Sequence, residues 1–464
     1  MQTKPTSLES LVSITKRRGF VFQTSSLYGG LANSYDYGPL GVELLRNIKN
    51  LWWRVFINQR ADMVGLDSQI LLHPKTWVAS GHTTAFNDPL VEDVVTQKRY
   101  RADHLIAEWQ EKNPSVDQTS PEEMSVAEMG EYIQQNNVRS PDKNTVSSPK
   151  VFNLLFETSI GAVSGEKSKV YLRGETAQGI FSNFTTILNS TRVQLPFGVG
   201  QIGKSFRNEV TTGQFVFRTL EFEQAEIEYF FDPESEDWQK LLEDWKQSLW
   251  SFVTNDLQIS EENLRWRKHT DAERSHYSKD TYDLDYKFPF GWKELWGLTY
   301  RADFDLKQHQ EHSGESLDAP DKDNKRRFTP HVIEPAVGIN RLFLMILNEH
   351  YWEDAERSRT VLRLPYALAP YKIAVFPLAR NKPELVASAQ EIYKQLATEV
   401  PTTWDDRSNI GKRYLYQDEA GTPYCVTVDY QTLEDNTVTI RHRDTTEQIR
   451  IASDQILEYL KKNN

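Results

Sequence analysis

Hydrophobic and polar residues alternate through the stretch Gly203–Glu228, a pattern typical of half-buried β-strands. The first strand is predicted to close at Phe206–Glu209. A turn at Thr211–Gln214 then leads into a long second strand, Phe215–Phe231, which is rich in aromatic and branched residues. The pattern therefore predicts an antiparallel hairpin near the middle of the chain.

One face of this predicted hairpin is charged. Side chains two residues apart share a face of a strand, so Arg207 lies beside Glu209. Guanidinium groups suit phosphates, an aromatic ring can stack on a flat base, and a carboxylate can bind an ammonium group. The face thus indicates a binding site, although a solvated hairpin with charge pairs across it is the alternative. The second strand places on this face Arg218, Leu220, Phe222, Gln224, Glu226 and Glu228.

Helical spacing marks the region before the hairpin. Leu8–Phe22 predicts a helix that runs into a short strand. Pro39 suits a first helical turn, and apolar residues then recur at three- and four-residue spacing as far as Phe56. A strand at Ser68–Leu72, stopping at Pro74, is predicted to follow.

Two stretches are predicted as inserts. Residues 104–150 are rich in Glu, Gln, Ser, Pro and Asn, which indicates a partly mobile segment with short helices at Leu105–Gln110 and Ser125–Gln135. A second insert is predicted at about 232–285, where Trp and Leu recur at helical spacing. Between them, Val151–Thr158 is predicted to be a strand.

The last part of the chain alternates predicted strands and helices, which indicates a small α/β domain over 371–464 after a linker at 363–370. Gly411–Tyr414 and Arg441–Asp444 are basic with an aromatic residue, a combination that can hold phosphate and stack a base, with plain surface charge as the alternative. The predicted elements are strands at Lys372–Pro377, Thr402–Asp406, Tyr424–Asp429 and Thr437–Ile440 and helices at Pro383–Ala397 and Thr446–Lys461.

Composition narrows the class of protein. The 464 residues predict two or three domains, and the net charge of −12 argues against a general nucleic-acid coat protein without excluding one RNA partner. Cys425 is the single cysteine and lies in an apolar run, so it is predicted to be a small buried residue. His82 has no partner at ligand spacing, so a local hydrogen bond is favoured over a zinc site. The polar start and the lack of a long apolar run predict a cytoplasmic protein without a membrane partner.

Three motifs resemble those of the class II aminoacyl-tRNA synthetases. Phe206-Arg-Asn-Glu209 with the returning Arg218-x-x-x-Phe222 resembles motif 2, the helix from Pro39 with its strand and proline resembles motif 1, and Glu334-Pro-Ala-Val-Gly-Ile-Asn-Arg341 resembles motif 3. Motif 1 builds the dimer interface in that family, so the resemblance implies a homodimer, with an ordinary core helix as the alternative.

Further matches narrow the resemblance to glycyl-tRNA synthetases of the single-chain type. Arg-Gly-Glu-Thr-Ala-Gln at 173–178 has Gly174 where the family has proline, and Ala336 replaces a serine that contacts the bound glycine. GKRYLYQDEAGTPYCVTVDY from Gly411 resembles the family's anticodon-binding domain. The implied fold is an α+β catalytic domain over 1–362, built on an antiparallel sheet with flanking helices, followed by an α/β anticodon-binding domain.

The resemblance assigns site residues by position. Catalysis would rest on Arg207, Glu209, Arg218 and Arg341. The ATP-binding positions are Arg207, Asn208, Glu209, Phe217, Arg218, Glu221, Phe222, Glu294, Leu295, Gly338, Ile339, Asn340 and Arg341. The glycine-binding positions are Arg101, Glu175, Phe222, Gln224, Glu226, Arg301, Glu334, Ala336 and Gly338. Strand parity alone would put Phe217, Glu221 and Glu223 on the back of the hairpin.

The implied activity is ATP-dependent attachment of glycine to tRNA(Gly) through glycyl-adenylate, with Mg²⁺ accompanying ATP. The resemblance also implies formation of diadenosine tetraphosphate. Two alternatives stay open: a non-catalytic relative that binds nucleic acid, and a sister synthetase for another small amino acid. The presence of all four charged residues assigned to catalysis favours the enzyme over the binding relative.

Overall fold

The chain is described by a computed structural model that covers residues 7–463 apart from 116–118, 122–123, 162–167, 210–213, 271–273, 275–277 and 324. Its first helix shows how local chemistry sets helix ends: the Ser7 side chain accepts from the Ser10 N–H, and Gly19 ends the helix in the left-handed conformation. In chain order the α-helices are α1 (Leu8–Arg18), α2 (Pro39–Trp53), α3 (Pro74–Ala79), α4 (His82–Ala85), α5 (Ala102–Lys112), α6 (Val126–Gln135), α7 (Ala177–Ser190), α8 (Trp238–Ser251), α9 (Phe304–Ser313), α10 (Ile339–His350), α11 (Pro383–Ala397), α12 (Ile410–Ala420), α13 (Tyr430–Asp435) and α14 (Ile456–Lys462).

The strands form one large central sheet, a smaller C-terminal sheet and several small sheets. In chain order they are β1 (Val21–Gln23), β2 (Tyr35–Tyr37), β3 (Met63–Gly65), β4 (Asn87–Glu92), β5 (Arg99–Arg101), β6 (Lys150–Asn153), β7 (Glu157–Ile160), β8 (Ser168–Tyr171), β9 (Phe197–Phe206), β10 (Glu221–Phe231), β11 (Leu264–Lys268), β12 (Asp280–Phe288), β13 (Gly291–Ala302), β14 (Ala319–Pro320), β15 (Arg327–Phe328), β16 (His331–Gly338), β17 (Tyr351–Asp354), β18 (Arg359–Leu362), β19 (Ile373–Pro377), β20 (Thr402–Trp404), β21 (Tyr424–Val428), β22 (Thr437–His442) and β23 (Gln448–Ala452).

The central sheet has the spatial order β11-β12-β13-β16-β10-β9-β3. All neighbours are antiparallel except β3 and β9, which are parallel. Along β10, Ala225 and Ile227 point into the main hydrophobic core, which α2, α8 and α10 complete. The other face of β10 carries Phe230, which packs against Phe184 of α7 and Phe197 of β9. Helix α7 thus covers one end of this face. The predicted site residues Phe222, Gln224 and Glu226 lie towards the other end.

The central hairpin is confirmed as antiparallel, but its second strand starts later than predicted. Strand β10 begins at Glu221, because Phe215 takes a positive φ of 54° and Phe215–Phe217 forms a 3₁₀ turn that packs into the core. Of the predicted turn, Thr211, Thr212 and Gly213 lie outside the described residues. Strand parity therefore does not extend back to Phe217.

Three other predicted elements were wrong in position. Residues 68–72 form no strand beyond one isolated bridge, because the Ser68 carbonyl accepts from the Arg173 guanidinium at 2.8 Å; β3 supplies the strand instead. The predicted strand Val151–Thr158 is split between β6 and β7. The last helix begins at Ile456, since β23 pairs with β22 and brings Ile449 opposite Ile440.

The two predicted inserts differ in structure. Helices α5 and α6 were predicted, and they share a small core with Val91 and Val146 beside the sheet β5-β4-β6. The stretch 232–285 supplies α8, β11 and part of β12, which belong to the central sheet and its core. The residues 363–370 include the buried Leu364, Leu368 and Ala369. The domain boundaries stay predictions.

The C-terminal sheet has the order β20-β19-β21-β22-β23, with its first three strands parallel and the others antiparallel. Helices α11 and α14 pack on one face. Helix α12, which the pattern did not predict, packs Ile410 and Tyr414 against Phe376 and Cys425 on the other. Cys425 is confirmed as a buried residue. Among the described residues, no helix combines the length and the apolar character needed to span a membrane.

Candidate active site

A cavity of about 350 Å³ opens on the charged end of the central sheet. Its walls come from β10, β12, β13 and β16, from the start of α10, and from the segments that flank α7 and β9. Three arginines and six carboxylates line it: Arg207, Arg218, Arg341, Glu175, Glu209, Glu226, Asp283, Glu294 and Glu334.

The floor of the cavity includes small residues on two neighbouring strands, β13 and β16. Ala336 of β16 lies opposite Glu226 on one side and Gly297 on the other. A Cβ at Gly297 would meet no heavy atom nearer than 4.0 Å, and one at Gly338 would lie 3.5 Å from the Arg341 side chain. These positions leave space above the sheet that a flat group can enter.

Arg207 and Phe222 form the middle of the cavity wall. The Arg207 Nε donates to the Gly174 carbonyl at 3.0 Å. Its guanidinium carbon lies 5.3 Å from the centroid of the Phe222 ring and 5.2 Å from that of Phe86. The guanidinium therefore contacts two aromatic rings and forms part of the cavity wall.

The other two arginines are each oriented by a carboxylate. Arg218 Nε lies 2.9 Å from Glu209 Oε2, so Glu209 pairs with Arg218. Arg341 Nη1 lies 3.1 Å from Glu294 Oε1 and donates to the Glu294 carbonyl, while its guanidinium stacks 4.4 Å above the Phe217 ring. Because the 3₁₀ turn displaces it from the strand, Phe217 lines the cavity, and its parity-based placement on the back face was wrong.

The opposite end of the cavity is acidic, and each carboxylate there has a defined position. Glu226 Oε2 accepts from the Thr176 N–H at 2.8 Å and from the Thr176 hydroxyl. Its Oε1 accepts from the Gln224 amide at 2.9 Å. The side chains of Glu226 and Gln224 are both more than nine-tenths buried.

Glu175 is held from two sides. Gln178 donates to its Oε1 at 2.9 Å, and His82 Nε2 lies 3.4 Å from its Oε2. The other ring nitrogen of His82 bonds the Ser80 hydroxyl at 2.8 Å, which confirms the local hydrogen bond predicted for this histidine. His82 thus positions a carboxylate of the site.

Arg301 lies behind the acids. Its guanidinium is 1% exposed, makes a bidentate pair with Asp305 at 2.7 and 2.8 Å, and also contacts Glu334. Arg301 therefore supports the acidic end from below.

Burial and crowding push the acid pKa values apart. Burial raises the pKa of Glu175, but the His82 ring and the Arg301 charge outweigh burial and bring it below its usual range. Burial and the Glu175 charge raise the pKa of Glu226. Burial also raises the pKa of Glu334 to about 8, against the opposing effect of Arg301. Such divergent pKa values in one cavity are typical of functional sites.

Several assigned positions lie outside the cavity wall. Arg101 pairs with Asp88 at 2.9 Å and with Asp103. Glu221 is exposed and pairs with Lys204 at 2.7 Å. The remaining positions are Arg301, which lies behind the acids, Asn208, which donates its N–H to the Leu154 carbonyl, and Leu295 and Ile339, whose side chains are buried in the core.

The other assigned residues do meet at the cavity, and some lining residues were not predicted. Asn340 lines it and also bonds Tyr37 at 2.5 Å and the Glu223 N–H at 2.8 Å, which ties α10 to β10. Among the described residues, no three His, Cys, Asp or Glu side chains form a group that could hold a metal ion. The unpredicted lining residues are Thr219, His269, Thr281, Asp283, Gly297, Thr299 and Val337, most of which come from strands assigned to the second insert or to the sheet beside it.

Comparisons with known proteins agree with this arrangement. Residues 158–350 match the tRNA synthetase class II core domain (G, H, P, S and T), and residues 372–463 match an anticodon binding domain. The chain is 46% identical over 460 residues to glycine–tRNA ligase of Staphylococcus haemolyticus, covering 98% of both chains. It is 47% identical to that of Alkaliphilus oremlandii, covering 99% of both, and 46% identical to that of Acetivibrio thermocellus, covering 99% of this chain and 98% of the relative.

The fold agrees with these matches. An antiparallel central sheet with flanking helices is followed by a C-terminal α/β domain, as the sequence motifs predicted. The chain belongs to the glycine–tRNA ligases, a family of class II tRNA synthetases.

Proposed function

We propose that the cavity binds ATP and glycine side by side, joins them as glycyl-adenylate, and passes the glycyl group to tRNA. The observation that carries the proposal is the order of side chains along β10. Phe222, Gln224 and Glu226 share one face of β10. Phe222 lies beside Arg207 and Glu226 belongs to the acidic end, so these two ends of the cavity are separated by about 13 Å or less along the strand.

In the first step, the glycine carboxylate attacks the α-phosphorus of ATP and pyrophosphate leaves. We assign Arg207 to the α-phosphate, where its fixed guanidinium offsets the charge that grows in the transition state. Arg218 and Arg341 are assigned to the outer phosphates, with Mg²⁺ as the counter-ion of the substrate. The adenine ring is assigned to the space above Gly297 and Gly338.

The acidic end is assigned to the glycine ammonium group. Glu175, Glu226 and Glu334 surround a space that their own hydrogen bonds prevent from collapsing. A larger amino acid is excluded by contact, which is a steep penalty, so no separate editing site is needed. Ala336 offers no hydroxyl here, so glycine binding would rest on these carboxylates and on Gln224.

In the second step, a hydroxyl of the 3′-terminal adenosine of tRNA attacks the glycyl carbonyl carbon and AMP leaves. Both steps need positioning and charge stabilisation rather than a covalent enzyme intermediate. We assign anticodon recognition to the C-terminal domain. Attack by a γ-phosphate oxygen of a second ATP on the phosphorus of the adenylate, with glycine leaving as its carboxylate, would give diadenosine tetraphosphate.

We also propose that the protein works as a homodimer in the cytoplasm. The support is the resemblance of the stretch from Pro39 to Pro74 to motif 1, together with Val42 of α2, which is 41% exposed. Sedimentation velocity of the purified protein is expected to give a particle of two chains, and a monomer at micromolar concentration would contradict the assignment.

The direct test is amino-acid-dependent ATP–pyrophosphate exchange. We expect exchange with glycine and none above background with alanine, serine or proline. Equal exchange with any of these would overturn the substrate assignment. Lack of exchange with all four, in a folded protein that still binds tRNA, would favour a non-catalytic relative.

A further inference from the structure

Glu228 is a buried acid beside the cavity that the proposed reaction does not use. It follows Glu226 on the same face of β10, and its side chain is 0% exposed. Neither carboxylate oxygen has a hydrogen-bond partner within the part of the chain that the structure describes. An ionised carboxylate without partners or water is very costly in such a place, so the group needs another explanation.

The strand register places Glu228 directly opposite Glu334. Glu226 pairs with Ala336 and Tyr229 pairs with Ile333 across β10 and β16. In this antiparallel register Glu228, two residues after Glu226, stands opposite Glu334, two residues before Ala336. Opposite residues on one face have their Cβ atoms about 5 Å apart, and like charges there repel. Two ionised carboxylates are therefore unfavourable at this pair of positions.

The surroundings supply few positive charges. The charged neighbours of Glu228 are three acids and one arginine. The acids are Glu226 on the same strand, Glu334 on β16 and Asp305 on α9, and the arginine is Arg301 of β13. Arg301 already pairs with Asp305 and contacts Glu334. On the β9 side, the register partner of Glu228 is the apolar Val199.

We propose that Glu228 is a neutral carboxylic acid whose O–H donates to the Glu334 carboxylate and so positions the acid that binds the amino group of the substrate. A shared proton removes one negative charge from the crowded cluster. It also gives the buried Glu228 a partner. The raised pKa values belong to the pair, which holds one proton between its two carboxylates, and the Arg301 contact with Glu334 keeps the remaining negative charge on Glu334.

The effect of Glu228 on binding of the amino group rests on the proposed function, whereas the protonation of Glu228 does not. Glu228 acts through Glu334 and touches no reacting atom, so it is a positioning residue. Its proton state can be measured in the absence of any substrate. A failure of the proposed function would appear in wild-type exchange, whereas a failure of this inference would appear in the Glu228 variants alone.

The first measurement is the pH dependence of stability for wild type and Glu228→Gln. The unfolded chain ionises Glu228 near a pKa of about 4.3. Burial and the Glu334 charge hold its folded-state pKa well above the usual range. The folded wild type therefore loses stability as pH rises above the unfolded value, by up to about tenfold in the folding constant per pH unit. The glutamine variant lacks this loss, so its Tm is expected to rise relative to that of wild type as the pH increases from 5 to 8.

The second measurement is infrared spectroscopy at pH 7. The wild type is expected to show the carbonyl stretch of an undissociated carboxylic acid, and Glu228→Gln to lack it. A Tm difference that stays flat across this pH range, or an acid signal that persists unchanged in the glutamine variant, overturns the proposal.

The third measurement separates positioning from plain folding. Glu228→Leu removes the donor, so KM for glycine is expected to rise roughly ten- to a hundredfold with KM for ATP unchanged. Glu228→Gln keeps an N–H donor to Glu334 and is expected to restore KM for glycine to within about threefold. Equal damage in both variants would mean that the negative charge is required, and an unchanged KM in a folded leucine variant would mean that no positioning occurs; either result overturns the proposal.

Discussion

Arginines in the central cavity and arginines in the C-terminal domain look alike in the sequence and behave differently in the structure. Arg218 and Arg341 have side chains that are 27% and 21% exposed and face open space. Arg413, Arg441 and Arg443 are only 2 to 6% exposed. Both groups lie in charged motifs that indicated phosphate binding.

The partners explain the difference. Arg413 donates to four backbone carbonyls, including that of Pro377 at 2.6 Å. Arg441 makes a bidentate pair with the buried Asp418, which also binds Arg359 of β18. Arg443 donates to the Gly421 carbonyl at 2.8 Å and to Asp444. The prediction that these stretches hold phosphate was therefore wrong for these three side chains, whose hydrogen bonds hold loops and strands together.

The largest expected effect concerns stability. Arg441→Ala leaves Asp418 as a buried charge with half of its partners, so the free energy of unfolding is expected to fall by about 3–5 kcal/mol. Denaturant unfolding measures the loss. Glycine-dependent exchange by the folded fraction is expected to stay at the wild-type rate.

Arg450→Ala is the matched control. Arg450 makes a more exposed pair with Asp429, so its loss is expected to be at most about 1 kcal/mol. If both substitutions cost the same, burial does not distinguish the two kinds of pair.

The next effect is catalytic. Arg207→Ala removes the donor assigned to the α-phosphate, so kcat for exchange is expected to fall about a hundred- to a thousandfold with the Tm nearly unchanged. Arg192→Ala, at an exposed position after α7, is the control and is expected to keep the wild-type rate. Native-rate adenylate formation by Arg207→Ala would contradict the assignment.

A smaller effect is expected from the cavity floor. A methyl group at Gly338 meets only the Arg341 side chain, at 3.5 Å, so Gly338→Ala should fold normally. The methyl group occupies space assigned to ATP, and KM for ATP is expected to rise roughly tenfold, with KM for glycine unchanged. Gly411→Ala, at an exposed position where the nearest atom is 3.7 Å away, should leave both constants unchanged. A rise in KM for glycine alone would contradict the assignment of the adenine ring to the space above Gly338.

The smallest effect tests the corrected position of Phe217. Phe217→Leu removes the ring beneath Arg341, and a cation–π contact is worth about 0.5–1 kcal/mol, so KM for ATP is expected to rise about two- to fivefold. Glu221→Ala is expected to change it less than twofold, because Glu221 is exposed and pairs outside the cavity. A larger effect of Glu221→Ala than of Phe217→Leu would contradict the placement of Phe217 at the cavity and of Glu221 outside it.

Parity within a continuous strand was a sound guide to the site. The prediction that Phe222, Gln224 and Glu226 share a face is confirmed, because β10 runs unbroken through them. Parity failed at Phe217, because Phe215 takes a positive φ and the strand begins only at Glu221. The side chains of Phe215 and Phe217 pack into the core instead of alternating between the two faces. Asp283 and Thr281 were missed because their strand is distant in sequence and carries no local sign of the cavity.

The sequence by itself determined the central hairpin, the helix from Pro39, the family of the chain and most of the charged residues that meet in the cavity. These depend on local periodicity and on short motifs whose residues are neighbours along the chain. Only the tertiary structure decided which arginines face open space, how Glu209 pairs with Arg218, and that the buried Glu228 lies opposite Glu334. Burial and cross-strand register depend on distant segments, so no local pattern carries them.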